Sequence, residues 1–460
     1  MNASSRNNLQ KWRDLNIYYY RDIERFYKTF IQKDTKILEV GSNLGYLLNS
    51  LQPSYGLGIE QNPDAVEQAQ IHFPKLDFIV SDVESFCSSE IFDYILLANT
   101  ISYITDIPQA LNNLYQLCQP STRLILTFHN PSWEIILKLA SLIGQRMPLP
   151  QLNWLSYGDV ENLLYLCQFE VVYHSKRLLF PKQVPLLAWF FNHVLAPLPL
   201  LNQFCLNEYI IARPIIHIST ILHCSVIIPA RNETGNIESC IADMPWLGDN
   251  TEIIFVEGGS TDGTWEEILR VQQKYSDRFN IKAYRQSGQG KKDAVWQGFE
   301  IATGDVLIIL DADLTVQPRD LVYFFDAIAS GACEFANGCR LIYPLSKASM
   351  PWLNRIANRI FAFLLSYLLN IQIKDSLCGT KAISRQNYQK LTANRDFFGD
   401  FDPFGDFDLL FGAAKLGLKI MDIPVRYFPR TYGKSNISHI QGGLILLKMC
   451  FHAAKKIKFI

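Results

Sequence analysis

The sequence predicts an α/β protein of two domains, and three observations carry that expectation. A chain of 460 residues exceeds one ordinary hydrophobic core. In both halves short apolar runs alternate with longer helical stretches, the pattern of a parallel, doubly wound sheet. Between the halves, Leu178 to Pro214 is apolar but broken by Pro181, Pro185, Pro197 and Pro199, which stop any long helix. The expected boundaries are a first domain over residues 1–213, a linker over 214–222 and a second domain over 223–460.

Composition narrows the function. The 48% apolar content is that of a globular protein, and the net charge is −1. Residues 1–220 hold 16 basic against 19 acidic side chains, and the remainder 27 against 25, so no basic field exists to neutralise a nucleic acid. The ten cysteines stand singly, without C-x-x-C or metal-ligand spacing, and read as small core residues of a reducing, cytoplasmic compartment. Met1 to Asn16 is polar and lacks the apolar core of a secretory signal. Leu178 to Leu201 is interrupted by Lys182, Asn192 and His193, and the run Ile360 to Leu369 is short. Neither reaches the roughly 18 unbroken apolar residues of a membrane span. Oligomeric state has no signal in the sequence.

In the first half, Lys36 to Val40 reads as a strand entering a turn, Gly41-Ser42-Asn43-Leu44-Gly45, that opens a helix. Two glycines let backbone pass close to a ligand at a helix N-terminus. The next strand, Gly56 to Ile59, ends on Glu60, where a carboxylate accepts hydrogen bonds from both hydroxyls of a ribose. A third strand (78–80) ends near Asp82, a fourth (94–97) at Asn99, and 123–128 gives a fifth. A dinucleotide turn normally needs G-x-G-x-x-G to admit a pyrophosphate. Here Asn43 takes the middle position and Glu39 precedes the turn. A carboxylate there repels a pyrophosphate and suits a ligand bearing an ammonium group, so S-adenosylmethionine is favoured over NAD.

These residues resemble the class I S-adenosylmethionine-dependent methyltransferases over residues 36 to about 175, with Glu39, Gly41 and Gly45 as the first motif. The resemblance implies a Rossmann-like sheet, Glu60 on the ribose, Asp82 near the adenine and Asn99 on the cofactor side. Asn43 departs from the commonest G-x-G-x-G form. Nothing in this half identifies a methyl acceptor; Tyr103, His129 and Trp154 are the candidates to line its pocket. The Pro-punctuated stretch that follows reads either as a lipid-facing surface or as a packed hairpin covering the sheet edge.

The second half is organised around Val306 to Leu310, a strand buried on both faces, which stops on Asp311-Ala312-Asp313. In extended backbone an i, i+2 pair points one way, at the sheet edge where ligands of open α/β sheets bind. Two hard oxygen donors there suit Mg²⁺ or Mn²⁺ shared with a diphosphate. Upstream, Cys224 to Ile228 runs into Pro229-Ala230-Arg231-Asn232-Glu233, and Glu252 to Val256 into Glu257-Gly258-Gly259-Ser260-Thr261-Asp262-Gly263-Thr264. Gln289-Gly290-Lys291-Lys292-Asp293-Ala294 opens the helix before the Asp311 strand, and Lys291 there reaches a diphosphate as a point charge.

P-x-x-N-E, G-S-T-D-G-T, G-K-x-x-A and D-x-D in this order resemble the family 2 glycosyltransferases, inverting enzymes of the GT-A fold. The resemblance covers nearly the whole second half. It implies that Asp311 and Asp313 hold the metal and that Pro229, Glu233 and Glu257 surround the nucleoside of a UDP- or GDP-linked sugar. Gly258 stands where a second acid is usual, and Lys292 replaces a glycine. Asn354-Arg355 and Asn358-Arg359 lead an apolar helix; Asp375 to Lys381 and Arg430 to Ser435 follow. These are similar to the dolichyl- and polyprenyl-phosphate sugar synthases, which implies that Asp375, Lys381 and Ser435 serve acceptor and phosphates. The same likeness makes Arg430 the charge stabiliser of the departing diphosphate. No Q-x-x-R-W occurs, which fits single transfers rather than polymer synthesis.

Phe398-Gly399-Asp400-Phe401-Asp402 recurs as Phe404-Gly405-Asp406-Phe407-Asp408. Asp406 has two readings: a cap for the helix 409–416, or, by resemblance, the catalytic acid at the acceptor site. A hydroxyl acceptor needs a base, and a lipid phosphate, already anionic, does not. The tail, 440–460, patterns as a helix with Lys448, His452 and Lys455 in one stripe, suited to lying on an anionic membrane face. The expectation is a metal-dependent glycosyltransferase acting on a polyprenyl-phosphate, related lipid-phosphate or glycan acceptor. It is fused to an S-adenosylmethionine-dependent methyltransferase and lies peripherally on the inner membrane face. The alternatives are a methyltransferase-like half that only binds, and a non-enzymatic scaffold.

Overall fold

The computed structural model describes residues 3–147, 153–216, 222–345, 350–393, 405–430, 432, 446–451, 453, 454 and 458, with backbone alone for 3–8 and 406. The chain divides into two compact units, the first ending at Ile216 and including Lys458.

The first unit is a seven-stranded sheet. Its strands are β1 (Lys36–Val40), β2 (Tyr55–Glu60), β3 (Asp77–Val80), β4 (Phe92–Ala98), β5 (Cys118–His129), β6 (Phe169–Arg177) and β7 (Asn207–Pro214). They lie in the order β3-β2-β1-β4-β5-β7-β6. The first five run parallel, as the alternating pattern requires, and β7 is antiparallel to both β5 and β6. Strand order reverses between β1 and β4, which opens a crevice at their C-terminal ends. The helix Ile17–Phe30 packs Phe26, Tyr27 and Phe30 on one face of the sheet, beside Tyr173 and Tyr209.

Here the structure departs from expectation. The last eight residues of the Pro-punctuated stretch, Asn207–Pro214, are a fully buried strand, β7, rather than connector. Its charged residues hid it, and each has a counter-charge next door: Glu208 takes Lys176 and His174 on β6, and Arg213 takes Glu170. Of the two readings of the Pro-punctuated stretch, the hairpin describes this end, where β7 folds back on β6.

The second unit is another seven-stranded sheet. Its strands are β8 (His223–Ala230), β9 (Asn250–Glu257), β10 (Asn280–Arg285), β11 (Val306–Ile309), β12 (Phe335–Cys339), β13 (Lys381–Ser384) and β14 (Ile420–Pro424). The order is β10-β9-β8-β11-β13-β12-β14, with β13 antiparallel to both its neighbours. The order reverses between β8 and β11, so this sheet too has its crevice where the first strand meets a later one. The helix Gly290–Ile301 lies over β8 with Gly298 against Ile227; a Cβ at 298 would stand 2.4 Å from Ile227 Cγ2.

That contact yields a prediction. Gly298→Ala gains up to about 1 kcal/mol in helix propensity but overpacks a closed core at a cost of roughly 1–3 kcal/mol. The thermal midpoint of the full chain's transition for this unit should fall; an unchanged or higher midpoint would show that the helix can lift off the sheet without loss.

Candidate functional site

In the first unit the crevice is a cavity of about 550 Å³ at the ends of β1, β2 and β4. The turn after β1 shapes its floor. Gly41 (φ +71°) and Gly45 (φ +76°) take left-handed backbone, and a Cβ on either would strike Thr100 or Phe78. Asn43 also has a left-handed φ, of 49°, a conformation asparagine tolerates better than most residues. The missing middle glycine is thereby accommodated. Glu60 accepts from the backbone N–H of Asn43 (3.0 Å) and Asn62 (3.0 Å), so it braces the turn. Asp82 turns onto the N–H of Glu84.

Glu39 lies buried in the cavity wall, accepting from Leu48 N–H at 3.1 Å. Burial pushes its carboxyl up to about 8, against the pull of that hydrogen bond and of Arg13. Two polar atoms bordering the cavity, Ser42 Oγ and Asn99 Oδ1, are buried and have no protein partner. Orphaned acceptors beside an open cavity fit a polar ligand. All six residues expected on the cofactor side sit in this crevice or its first turns. Glu39, Gly41, Glu60, Asp82 and Asn99 line it directly, and Gly45 closes the turn.

The acceptor-side expectation holds in part. Tyr103 and His129 line the cavity; Trp154 does not, and packs instead beside Leu137, Leu178 and Leu206. His129 Nε2 meets Tyr19 Oη at 3.1 Å. Burial and Arg146 keep that imidazole neutral, with its pKa lowered to about 3. Tyr19, Tyr20 and Arg13 from the N-terminal helices also face the cavity. Arg13 falls in the stretch read only as polar, Met1 to Asn16, and Tyr19 and Tyr20 were not singled out, although Tyr18-Tyr19-Tyr20 was an available signal.

In the second unit, β11 ends at Ile309, so Asp311 and Asp313 stand in a turn rather than on extended backbone. Asp313 accepts from Thr315 N–H (3.1 Å) and Oγ1 (2.8 Å), an Asx-type turn, and Leu314 takes a positive φ of 54°. Cations converge on the pair. Lys291 Nζ lies 2.7 Å from Asp311, Arg430 Nη2 lies 2.6 Å from Asp313, and Arg430 Nη1 lies 3.5 Å from Glu233. Glu233 is buried, which raises its pKa. Asn232 and Thr234 hydrogen-bond across to Ser260, Thr261 and Asp262, which fastens the loop after β8 to the loop after β9. Pro229 pairs in register with Val256 at the ends of those strands. Glu257 is buried and accepts from Ser260 N–H within its own loop.

Three expectations are corrected by burial or position. Asp375, 0% exposed, and Lys381, 1% exposed, are inside the fold and not in the cleft. Asp375 takes the Arg340 guanidinium in two hydrogen bonds (2.7 and 2.9 Å), Arg340 N–H and Asn358 Nδ2. Lys381 Nζ donates to Asn337 Oδ1 (2.7 Å) and Cys378 O (2.9 Å). Their loop brings Gly379 to the cleft instead: a Cβ there would lie 2.1 Å from Asp311 Oδ2 and 2.3 Å from Lys291 Nζ. Asp406 is the first helical residue of Asp406–Lys415, and Gly405 (φ +77°) holds the N-cap position, so Asp406 is not the N-cap residue. The Asp406 side chain and Ser435 lie outside the described residues. Lys292, in the place of a glycine, turns away from the cleft to Asp408 at 3.0 Å. Among the described residues no three carboxylate, His or Cys side chains gather as a metal cage. Two aspartates alone fit an ion whose other ligands are diphosphate and water.

Comparison with known proteins now places the two units. Residues 11–174 match the family model "Methyltransferase domain", and residues 225–392 match "Glycosyl transferase family 2". The chain carries a methyltransferase domain and a family 2 glycosyltransferase domain. Among its relatives, Glycosyltransferase AglD of Haloferax volcanii is 30% identical, over 45% of this chain and 33% of that one. Dolichol-phosphate mannosyltransferase of Pyrococcus furiosus is 28% identical, over 46% of this chain and 58% of that one. Polyprenol monophosphomannose synthase of Mycolicibacterium smegmatis is 26% identical, over 46% and 80%. The chain thus spans a third of the first and under two thirds of the second.

The glycosyltransferase domain's buried ion pair is open to test. Burial opposes the charge on Asp375, but Arg340 overcomes it and holds the carboxyl down to about 2. A depressed carboxyl stabilises the fold above its ordinary range near 3.8, and that contribution is lost as pH falls toward about 2. Arg340→Leu strands the carboxylate and should cost roughly 3–5 kcal/mol in urea unfolding at neutral pH. A loss below 1 kcal/mol, or one that persists at acid pH, would contradict this account.

Proposed function

We propose that the second domain moves a sugar, with inversion, from a UDP- or GDP-linked donor to a polyprenyl-phosphate or related lipid-phosphate acceptor. The observation that carries this is the convergence of Asp311, Asp313, Glu233, Lys291 and Arg430, brought from four separate chain segments to the strand-order reversal between β8 and β11. The relatives named for dolichol-phosphate and polyprenol transfer support the acceptor class. Glu233 and Glu257 edge the nucleoside side, where their loops are tied together. Lys291 and Arg430 carry the positive charge that a departing diphosphate needs. Asp311 and Asp313 would hold Mg²⁺ or Mn²⁺, which when bound neutralises diphosphate charge. Asp406 starts its helix beside Lys292, and a base is required there only for a hydroxyl acceptor.

A lipid acceptor also agrees with the helix Trp352–Leu369, which exposes Trp352, Ile356, Ile360 and Phe363 along one side. Leu447 and Phe451 are exposed in the described part of the tail. No helix among the described residues is long and apolar enough to cross a membrane, so the reading is peripheral association. For the first domain we propose methyl transfer from S-adenosylmethionine, with Glu39 receiving the ammonium group, Glu60 the ribose and Asp82 the adenine side.

Two experiments follow. With Mn²⁺ present, hydrolysis of UDP- and GDP-sugars should be detectable, and Asp311→Asn and Asp313→Asn should each lower it by about a hundredfold; equal rates in all three proteins would remove the donor-site assignment. For the first domain, a Glu39 carboxyl that is protonated at pH 7 must ionise when an ammonium group binds. Calorimetry of S-adenosylhomocysteine in buffers of different ionisation heat should then show release of about one proton at pH 7. Glu39→Gln should abolish the release, whereas binding heat independent of buffer would put the ammonium elsewhere.

A further inference from the structure

The methyltransferase cavity opens beside an apolar surface that the mechanism above does not use. The helix Glu134–Leu142 follows directly on β5 and forms one wall: Ile136, Leu137 and Ala140 line the cavity, with Gln145 and Arg146 just beyond. Its outer side is bare. Ile135 is 73% exposed and Leu142 82%, with Leu139 and Ile143 between and beside them. Residues at i, i+4, i+7 and i+8 share one helical face. Across the mouth, the connector before β7 contributes Pro181, Lys182 and Leu206 to the same cavity. Outside, the connector exposes Trp189, Phe190, Leu200 and Phe204.

The two apolar segments are fastened together. Trp133 Nε1 donates to Phe204 O at 2.7 Å, Asn130 Nδ2 donates to Gln203 O at 2.8 Å, and Leu137, Leu178 and Leu206 share one cluster. Exposed apolar area of this extent, built on both lips of one cavity, marks an interaction surface. Charge indicates its partner. From Ile135 to Gly158 and from Val171 to Asn207 the chain has no Asp or Glu, and holds Lys138, Arg146, Lys176, Arg177 and Lys182. Lys138, Lys176 and Arg177 are paired with acids from outside these segments. Arg146 and Lys182 line the cavity and have no ion-pair partner among the described residues. Apolar side chains around unopposed cations match the surface of a bilayer with anionic headgroups.

We propose that these lips seat the first domain on an anionic lipid bilayer, and that its methyl acceptor is a membrane-borne molecule drawn into the cavity between them. The inference rests on the methyltransferase reading and names its substrate class. A nucleophilic atom of the acceptor forms the new bond to the methyl carbon as the carbon–sulfur bond breaks; sulfur keeps the electron pair, and the acceptor's proton passes to water. Arg146 and Lys182 then face the headgroup region while the acceptor's polar end reaches the neutral His129 and Tyr19.

The test uses the full chain with Leu142→Cys, in a Cys87→Ser background, carrying an environment-sensitive dye. Vesicles of phosphatidylcholine with phosphatidylglycerol should shift its emission to the blue, and spin-labelled acyl chains should quench it. Leu139→Asp with Leu142→Asp should lower vesicle partitioning by about tenfold or more while S-adenosylhomocysteine binding by calorimetry stays as in the parent. A dye that stays in water while vesicles sediment the protein would overturn the inference, since the second domain alone would then account for binding. A dye buried without vesicles, in proportion to protein concentration, would overturn it in favour of a second copy. Parent protein that binds no S-adenosylhomocysteine would instead sink the methyltransferase reading, and the dye measurement separates the two failures.

Discussion

An aspartate with no exposed surface must be matched by a cation held as firmly, because each buried ion costs several kcal/mol in lost hydration. Asp375 meets that requirement with Arg340 and adds the side chain of Asn358. The pair fixes three elements at once. Arg340 follows β12, Asn358 sits in the helix Trp352–Leu369, and Asp375 begins the loop that enters β13. Asn337, shared by the carbonyl of Asp375, Lys381 and Asp422, extends the same network to β14. The consequence at the cleft is Gly379, whose backbone is held against Asp311 and Lys291 with no room for a side chain. The geometry of the cleft in this domain is therefore set from behind, by charges buried inside the fold.

The first domain solves a similar problem with backbone conformation rather than buried charge. Its turn needs three left-handed residues within five positions, and Asn43 supplies the one that is not glycine. Glu60 holds Asn43 N–H on one oxygen and Asn62 N–H on the other, so a single carboxylate links the turn after β1 to the end of β2. The spacing of Gly41 and Glu60 is thus a structural requirement before it is a ligand-binding one.

What the sequence made legible follows from this division. Strands buried on both faces announce themselves as apolar runs, so β1, β2, β8, β9 and β11 were readable, as were the loops at their ends. β7 was not, because Glu208 and Arg213 break its apolar character and their neutralising partners lie on β6, distant in sequence. Asp375 and Lys381 were recognised as motif residues but given the wrong task. A motif shows that a residue type is needed, and only burial tells whether it touches ligand or supports what does. Arg340 carried no local signal at all; its importance exists only once β12 and the Asp375 loop are adjacent. Lys292 looked like a misfit in a phosphate turn, and the structure gives it Asp408, from the repeated Phe-Gly-Asp-Phe-Asp segment, as its partner.

The charges around the second cleft have a sign that bears on the chemistry. Asp311, Asp313 and Glu233 formally outnumber Lys291 and Arg430 by one, so the cleft by itself is not an anion trap. A diphosphate approaching it meets two carboxylates already engaged by the cations it would use. On the proposed reading, a divalent ion held by those aspartates would reverse the local sign and leave Lys291 and Arg430 available to phosphate oxygens. Burial raises the Glu233 pKa, because it disfavours the charged form. On the proposed reading, the ion pairs of Asp311 with Lys291 and of Asp313 with Arg430 would be the resting partners of groups that exchange one another for metal and phosphate.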